Sequence, residues 1–317
     1  MFLEPIFLFE TIYIPMNLMT VGTLALDDIK TPFGEVKGAL GGSATYFGLA
    51  ASFFTECGLI GVVGSDFPEE HLDFLKSKKL DLSGIEAASG KTFRWSGSYE
   101  FDMNQAHTLK TELNVLSEFN PKIPGGFRNC EILFLANIDP DLQLEVLEKV
   151  KPKYCFADTM NFWIEGNRES LDEVFGRVDG IIINDSEARQ YCKTPNLIAC
   201  GKILSRLNDG KVIIKKGEHG ILYFSEERFF SLPAYPVENL VDPTGAGDSF
   251  AGGTLGHLAK HGEFSDEMMR KSIVCGSTVA SYVVSGFSVD GIKVRTHEDI
   301  ESRYQHFRNI VAFDHNL

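Results

Sequence analysis

Asp248 directly follows Gly245-Ala246-Gly247, between the apolar-rich run YPVENLV and a stretch of helical character that opens with Ser249-Phe250-Ala251. Glycines at a turn entering a helix let the backbone approach a ligand closely. The free amides of the first helical turn carry the positive end of the helix dipole. Gly245, Ala246 and Gly247 therefore form a candidate anion hole for a phosphoryl group in transit. A carboxylate in the same turn would repel phosphate, so Asp248 either accepts the proton of an attacking hydroxyl or merely complements the helix dipole. On local features alone both readings stand.

Two other phosphate-binding patterns are absent. No G-x-x-x-x-G-K-[ST] occurs, and Phe250 stands where a dinucleotide fingerprint needs its last small residue. A Walker-type ATPase and a Rossmann dehydrogenase are both disfavoured. Asn184-Asp185-Ser186-Glu187 follows the apolar run GIII and reads locally as a polar turn capping the helix SEARQYC. Asp27 and Asp28 read locally as solvated loop aspartates, and Gly41-Gly42 as a tight turn at a helix start. His257 and His261 share a helical face without a third ligand nearby in sequence, which favours a solvated face over a metal site.

The elements that must position these residues alternate along the chain. Apolar strand-like runs (LMTVGTLAL, CGLIGVVGS, CEILFLANI, YCFADT, GIIIN, KVIIKKG) are separated by helical stretches, as in a layered α/β fold with a mostly parallel sheet. Residues 27–40 and 91–118 break the rhythm, and the alternation from Thr92 to Phe101 is that of a half-exposed strand. Together they are expected to form a small β flap that closes over substrate and excludes water.

At 317 residues, a single domain with an insertion is expected. The net charge of −14 and the lack of any lysine or arginine run argue against nucleic-acid binding. Residues 1–15, MFLEPIFLFETIYIP, have no basic residue, two glutamates and two prolines, so they read as neither signal peptide nor membrane span. They are expected to be an appended extension, with an extra edge strand as the alternative. The six cysteines form no C-x-x-C pair, which points to reduced thiols and a cytoplasmic protein.

DPTGAGDSFAGG resembles the C-terminal signature of the ribokinase-like, or PfkB, family of carbohydrate kinases, GALGGSATYFGLAASFF its N-terminal signature, and Asn184 to Glu187 its N-x-x-E element. The three occur in the family's order, within a resemblance that spans roughly Gly22 to Gly286. The resemblance implies a ribokinase-like layered fold over 16–317 with a central, mostly parallel sheet, flanking helices and a small β lid. It implies transfer of the γ-phosphoryl of MgATP to a hydroxyl, with Asp248 as base and Gly245 to Gly247 as anion hole. Asn184 and Glu187 would organise Mg²⁺ and the ATP phosphates, partly through water, and Lys215 and Gly217 would lie near the nucleotide. Asp242 and Thr244 are the candidates for a monovalent cation such as K⁺. Asp27, with Asp28 as alternative, and Gly41 and Gly42 would meet the acceptor. Tyr46 departs from the pattern, because ribokinase-type members often carry asparagine there, and this puts the acceptor in question. A small sugar is the leading acceptor, a nucleoside or cyclic polyol the alternative, and a catalytically silent sensor the reading of a different class. Neither nucleic acid nor membrane is an expected partner, and a homodimer through the lid is.

Overall fold

In the computed structural model, residues 17–208, 210–225 and 228–312 are described; the extension expected over 1–15 lies outside them. Strands β1 (Leu18–Val21), β4 (Cys57–Gly64), β5 (Leu80–Ala88), β8 (Ile132–Leu135), β9 (Tyr154–Ala157), β10 (Gly180–Asn184), β11 (Lys211–Lys215), β12 (Ile221–Ser225) and β13 (Arg228–Leu232) form one sheet. Its order is β13-β12-β11-β10-β9-β8-β1-β4-β5. It is parallel from β5 through β11, and β12 and β13 add an antiparallel edge.

Both faces of this sheet are buried, so its central strands are apolar almost throughout rather than alternately, with buried Thr20 an exception in β1. Leu18, Ile182 and Ile213 point into a core shared with the helices Ser43–Ala51, Ala246–His261 and Asp266–Val283. Met19, Val21, Ile181, Ile183, Val212 and Ile214 point into the opposite core. The strand period of two thus divides each run between two helical layers. On the first side Phe47 stacks on Phe134 with centroids 4.5 Å apart. The helix Ala246–His261 packs there at backbone contact, since a Cβ on Gly252 would overlap the Phe47 carbonyl.

The four strands β2 (Ala25–Thr31), β3 (Gly34–Gly41), β6 (Phe93–Tyr99) and β7 (Ala106–Glu112) form a second sheet in the order β3-β2-β6-β7. The two stretches that break the α/β rhythm are therefore one sheet, joined where β2 runs parallel to β6. Among the contacts that tie it to the main body are two side-chain hydrogen bonds. Thr244 Oγ1 donates to the Tyr99 hydroxyl at 3.1 Å, and Asn104, in the β6–β7 connection, donates to Glu218 at 2.9 Å.

The chain leaves β1 toward β4 on one side and returns to β8 on the other. Such a reversal opens a crevice outside the carboxyl ends of the strands, where ligands of open α/β sheets bind. His257 is not solvated as expected: its Nδ1 meets Ser272 Oγ at 2.9 Å, and its ring packs edge-on to Phe54. Burial first, then the neighbouring cations, lowers its pKa to about 4. All six cysteines are free, and five of them are buried.

Candidate active site

The turn before Ala246–His261 is built by Asp242. Its Oδ1 accepts from the Thr244 amide at 2.9 Å and its Oδ2 from the Ser288 amide at 2.9 Å. Ser288 in turn donates its hydroxyl to the Leu40 carbonyl at 2.5 Å, so the turn, the segment after the helix Asp266–Val283 and β3 are fastened together. Gly245 caps the helix with φ 74°, a left-handed conformation that suits glycine, and a side chain there would strike the ring of Tyr46. Tyr46 thus forms the floor of this turn, with its ring buried at 2% exposure.

Of the three amides expected in the anion hole, that of Ala246 is donated to the Pro243 carbonyl at 3.1 Å. Those of Gly245 and Gly247, together with that of Asp248, have no partner among the described residues. Such orphan first-turn amides are where an anion binds. Asp248 projects from the same turn. Burial first, then the Asp158 carboxylate, pushes its carboxyl up to about 7, while Lys215 opposes the rise. A carboxylate titrating there can take a proton at neutral pH.

Asp27 lies on β2 at 3% exposure, and its Oδ1 has no hydrogen-bond partner among the described residues. Burial, followed by the charges of Asp242 and Asp248, raises its carboxyl to about 8 against the pull of the Gly42 amide. Gly41 makes room for it, because a Cβ there would overlap the Asp27 carboxylate. Gly42 has φ 98° and opens the helix Ser43–Ala51. Asp28, on the other face of β2, is committed to the Gly38 amide at 2.7 Å. A buried, half-satisfied acceptor such as Asp27 is costly unless a ligand hydroxyl completes it.

Asn184 and Glu187 form a capping box at the helix Asp185–Cys192. Glu187 N donates to Asn184 Oδ1 at 2.8 Å, and Asn184 N donates to Glu187 Oε2 at 2.9 Å. Burial and then Asp158 push the Glu187 carboxyl upward, and Lys215 partly offsets them. Lys215 is the register partner of Asn184 across β10 and β11. Gly217 is exposed in the turn beyond it, with φ 55°.

Asp158 escaped the sequence reading. The legible signal was an acid directly after the apolar strand YCFA, at the carboxyl end where the crevice forms. Asp158, Glu187 and Asp248 interact there electrostatically with a single ammonium, that of Lys215. No three carboxylate, histidine or cysteine side chains among the described residues close on a common point that could hold a metal. Such a surplus of carboxylate charge beside an anion hole fits a hydrated divalent cation shared with phosphates, not a protein cage.

Residues 16–292 match the profile of the pfkB family carbohydrate kinases. A cytidine kinase of Thermococcus kodakarensis is 31% identical over 250 residues, which cover 76% of this chain and 87% of that enzyme. Among solved structures, the nucleoside kinase of Burkholderia thailandensis in complex with ADP-inosine superposes with TM-score 0.75 at 15% identity, covering 92% of this chain and 96% of that one. A putative ribokinase II from E. coli in complex with ATP and Mg²⁺ does so with TM-score 0.70 at 17% identity, covering 92% and 99%. At these identities the solved structures speak for the fold, whereas the family profile spans most of the sequence: the chain belongs to the pfkB family of carbohydrate kinases and is a kinase.

Proposed function

We propose that this kinase transfers the γ-phosphoryl of ATP to a hydroxyl on the ribose of a nucleoside. The observation that carries the reading is the placement of Asp27. Its unpartnered oxygen lies in the electrostatic reach of Asp248, and its register partner on the neighbouring strand is Trp95. Asp27 and Trp95 therefore share one face of the small sheet, with Tyr99 further along it. The indole lies across Gly97, where a Cβ would overlap it, and its Nε1 donates to Thr108 at 3.1 Å. A half-buried flat ring beside a carboxylate that wants hydroxyls suits a ligand with a sugar at one end and a planar base at the other. The relatives point the same way, one being a cytidine kinase and one a structure with inosine.

In this reading Asp27 accepts from the ribose hydroxyls and holds one of them toward Asp248. That hydroxyl gives its proton to the Asp248 carboxylate as its oxygen bonds the γ-phosphorus. The bond to the β,γ-bridging oxygen breaks, and ADP leaves with that electron pair. The free amides of Gly245, Gly247 and Asp248 receive the charge on the phosphoryl oxygens. Asn184 and Glu187 would face Mg²⁺, which when bound neutralises the phosphates. Tyr99, bonded to Thr244, links the small sheet to the anion-hole turn, so the sheet serves as a lid.

An acceptor panel tests the reading. ADP release is followed with cytidine, uridine, adenosine, guanosine and inosine against ribose, fructose and myo-inositol. Nucleosides should lead in kcat/KM by about tenfold or more, the size of a lost charged hydrogen bond or stacking contact. A free sugar or inositol in the lead would replace the nucleoside reading, and no turnover with any acceptor would favour a sensor.

A further inference from the structure

Resting on that reading, we propose that Lys215 is a further catalytic residue, its ammonium donating to a non-bridging oxygen of the phosphoryl in transfer, and that Asp158 positions it. Lys215 ends β11, and its Nζ lies 3.2 Å from the point a Cβ on Gly247 would occupy. Gly247 supplies one of the free amides, so the ammonium borders the hole itself rather than the rim of the nucleotide site. Any larger residue at 247 would crowd the Lys215 ammonium.

Asp158 holds it there. Its Oδ2 accepts from Lys215 Nζ at 2.7 Å, reaching past the end of the intervening β10, and both side chains are nearly buried, at 4% and 14% exposure. Its Oδ1 accepts from the Thr159 amide at 2.8 Å. The main chain at Asp158 is fixed on both sides: its amide donates to the Leu135 carbonyl at 2.9 Å, and its own carbonyl accepts from buried Gln143 at 3.1 Å. The main chain that carries the carboxylate is thereby anchored at two points, to β8 and to the helix Pro140–Lys149, and a lysine bound to it has little freedom to swing away. Burial pulls the ammonium toward losing its proton, but Asp158, Glu187 and Asp248 outweigh it, so Lys215 stays charged.

A buried ion pair can instead serve only to join β9 to β11, and replacing such a pair with neutral groups is often harmless. Catalysis predicts otherwise. Negative charge spreads over the phosphoryl oxygens most in the transition state, so a preorganised donor there acts on kcat more than on KM.

The test uses Lys215→Met, Asp158→Asn and the double variant with MgATP and the best acceptor of the panel, alongside Asp248→Asn, with thermal melting to establish folding. Lys215→Met should lose about 10²–10³ in kcat, with acceptor KM within a few-fold of wild type. Asp158→Asn should lose about tenfold, the mild end of what outer-shell partners contribute. At a pH above the acid limb of Asp248, where the direct effect of Asp158 on that carboxyl no longer changes its protonation, the double variant should be no slower than Lys215→Met, because Asp158 acts through Lys215. If Lys215→Met does not fold with Asp158 left unpaired, the double variant decides, since it removes both charges. A folded lysine variant, single or double, with kcat within about threefold of wild type overturns the proposal. So do losses of the two single variants that multiply in the double one. In either case an inactive Asp248→Asn leaves the reading of the reaction intact, while an active one sinks that reading instead.

Discussion

In the reaction proposed above, Asp248 is the proton acceptor. Asp248→Asn keeps the side chain's shape but removes the proton acceptor, so kcat should fall by about 10²–10⁴, while ATP affinity holds or improves with the loss of a like charge near phosphate. Turnover within a few-fold of wild type would leave Asp248 as a helix-dipole residue. The wild-type pH profile carries a second mark. Because burial and Asp158 raise this carboxyl to about 7, kcat/KM should climb with pH through an acid limb near neutrality, above the ordinary carboxylate range. Removing the Asp158 charge lowers the Asp248 pKa, so the limb of Asp158→Asn should move to lower pH. A limb that stays in place would mean that another group controls it.

Asn184 and Glu187 form a helix cap and, in the proposed reaction, also face the cation. The N-x-x-E spacing was legible both as a helix cap and as a cation site, and the structure realises the cap with both reciprocal bonds. Glu187→Gln retains an oxygen that accepts from the Asn184 amide but loses the charge. Melting temperature should hold, and the Mg²⁺ concentration for half-maximal rate should rise by about tenfold. An unchanged Mg²⁺ requirement would confine Glu187 to capping. In the small sheet, the alternation read from Thr92 to Phe101 separates Trp95 and Tyr99 from Arg94, which pairs with Asp66 at 3.4 Å on the opposite face. Phe101 is 93% exposed and takes no part in the site. Trp95→Ala should raise acceptor KM by about tenfold with ATP KM unchanged; a lowered melting temperature with unaltered KM would reduce the indole to packing.

The whole molecule bears a cost for gathering carboxylates. Asp27 has an ordinary value of 3.8 and rises to about 8 on folding, so the folded state holds its proton more tightly. Stability linked to this group is fully present below pH 3.8 and is lost as pH rises through about 8. Asp27→Asn should therefore melt higher than wild type at pH 8, with the gain vanishing below about pH 4, while acceptor turnover collapses. Equal melting temperatures at pH 8 would mean that the buried carboxylate is compensated in a way the fold does not reveal. The chain's own order of residues determined a great deal: the layered α/β fold, the helix-opening glycines with Asp248 in the turn that follows them, and the two stretches that make the small sheet. These are local signals, carried by periodicity and by residue types at fixed spacing. Other features were invisible along the chain. The pairing of Asp158 with Lys215 joins residues on non-adjacent strands, and the bond from Ser288 to Leu40 spans most of the sequence. The loss of the Ala246 amide to Pro243 depends on the turn's actual geometry. Tyr46 read as a departure from a family pattern and proves to be the floor of the anion-hole turn. Which of two neighbouring aspartates faces the site was settled by a bulge and a register in the small sheet, with Asp27 turned inward and Asp28 bonded outward to Gly38. Contacts of this kind belong to the tertiary structure, because sheet order and strand register, rather than distance along the chain, decide which charges meet in the crevice.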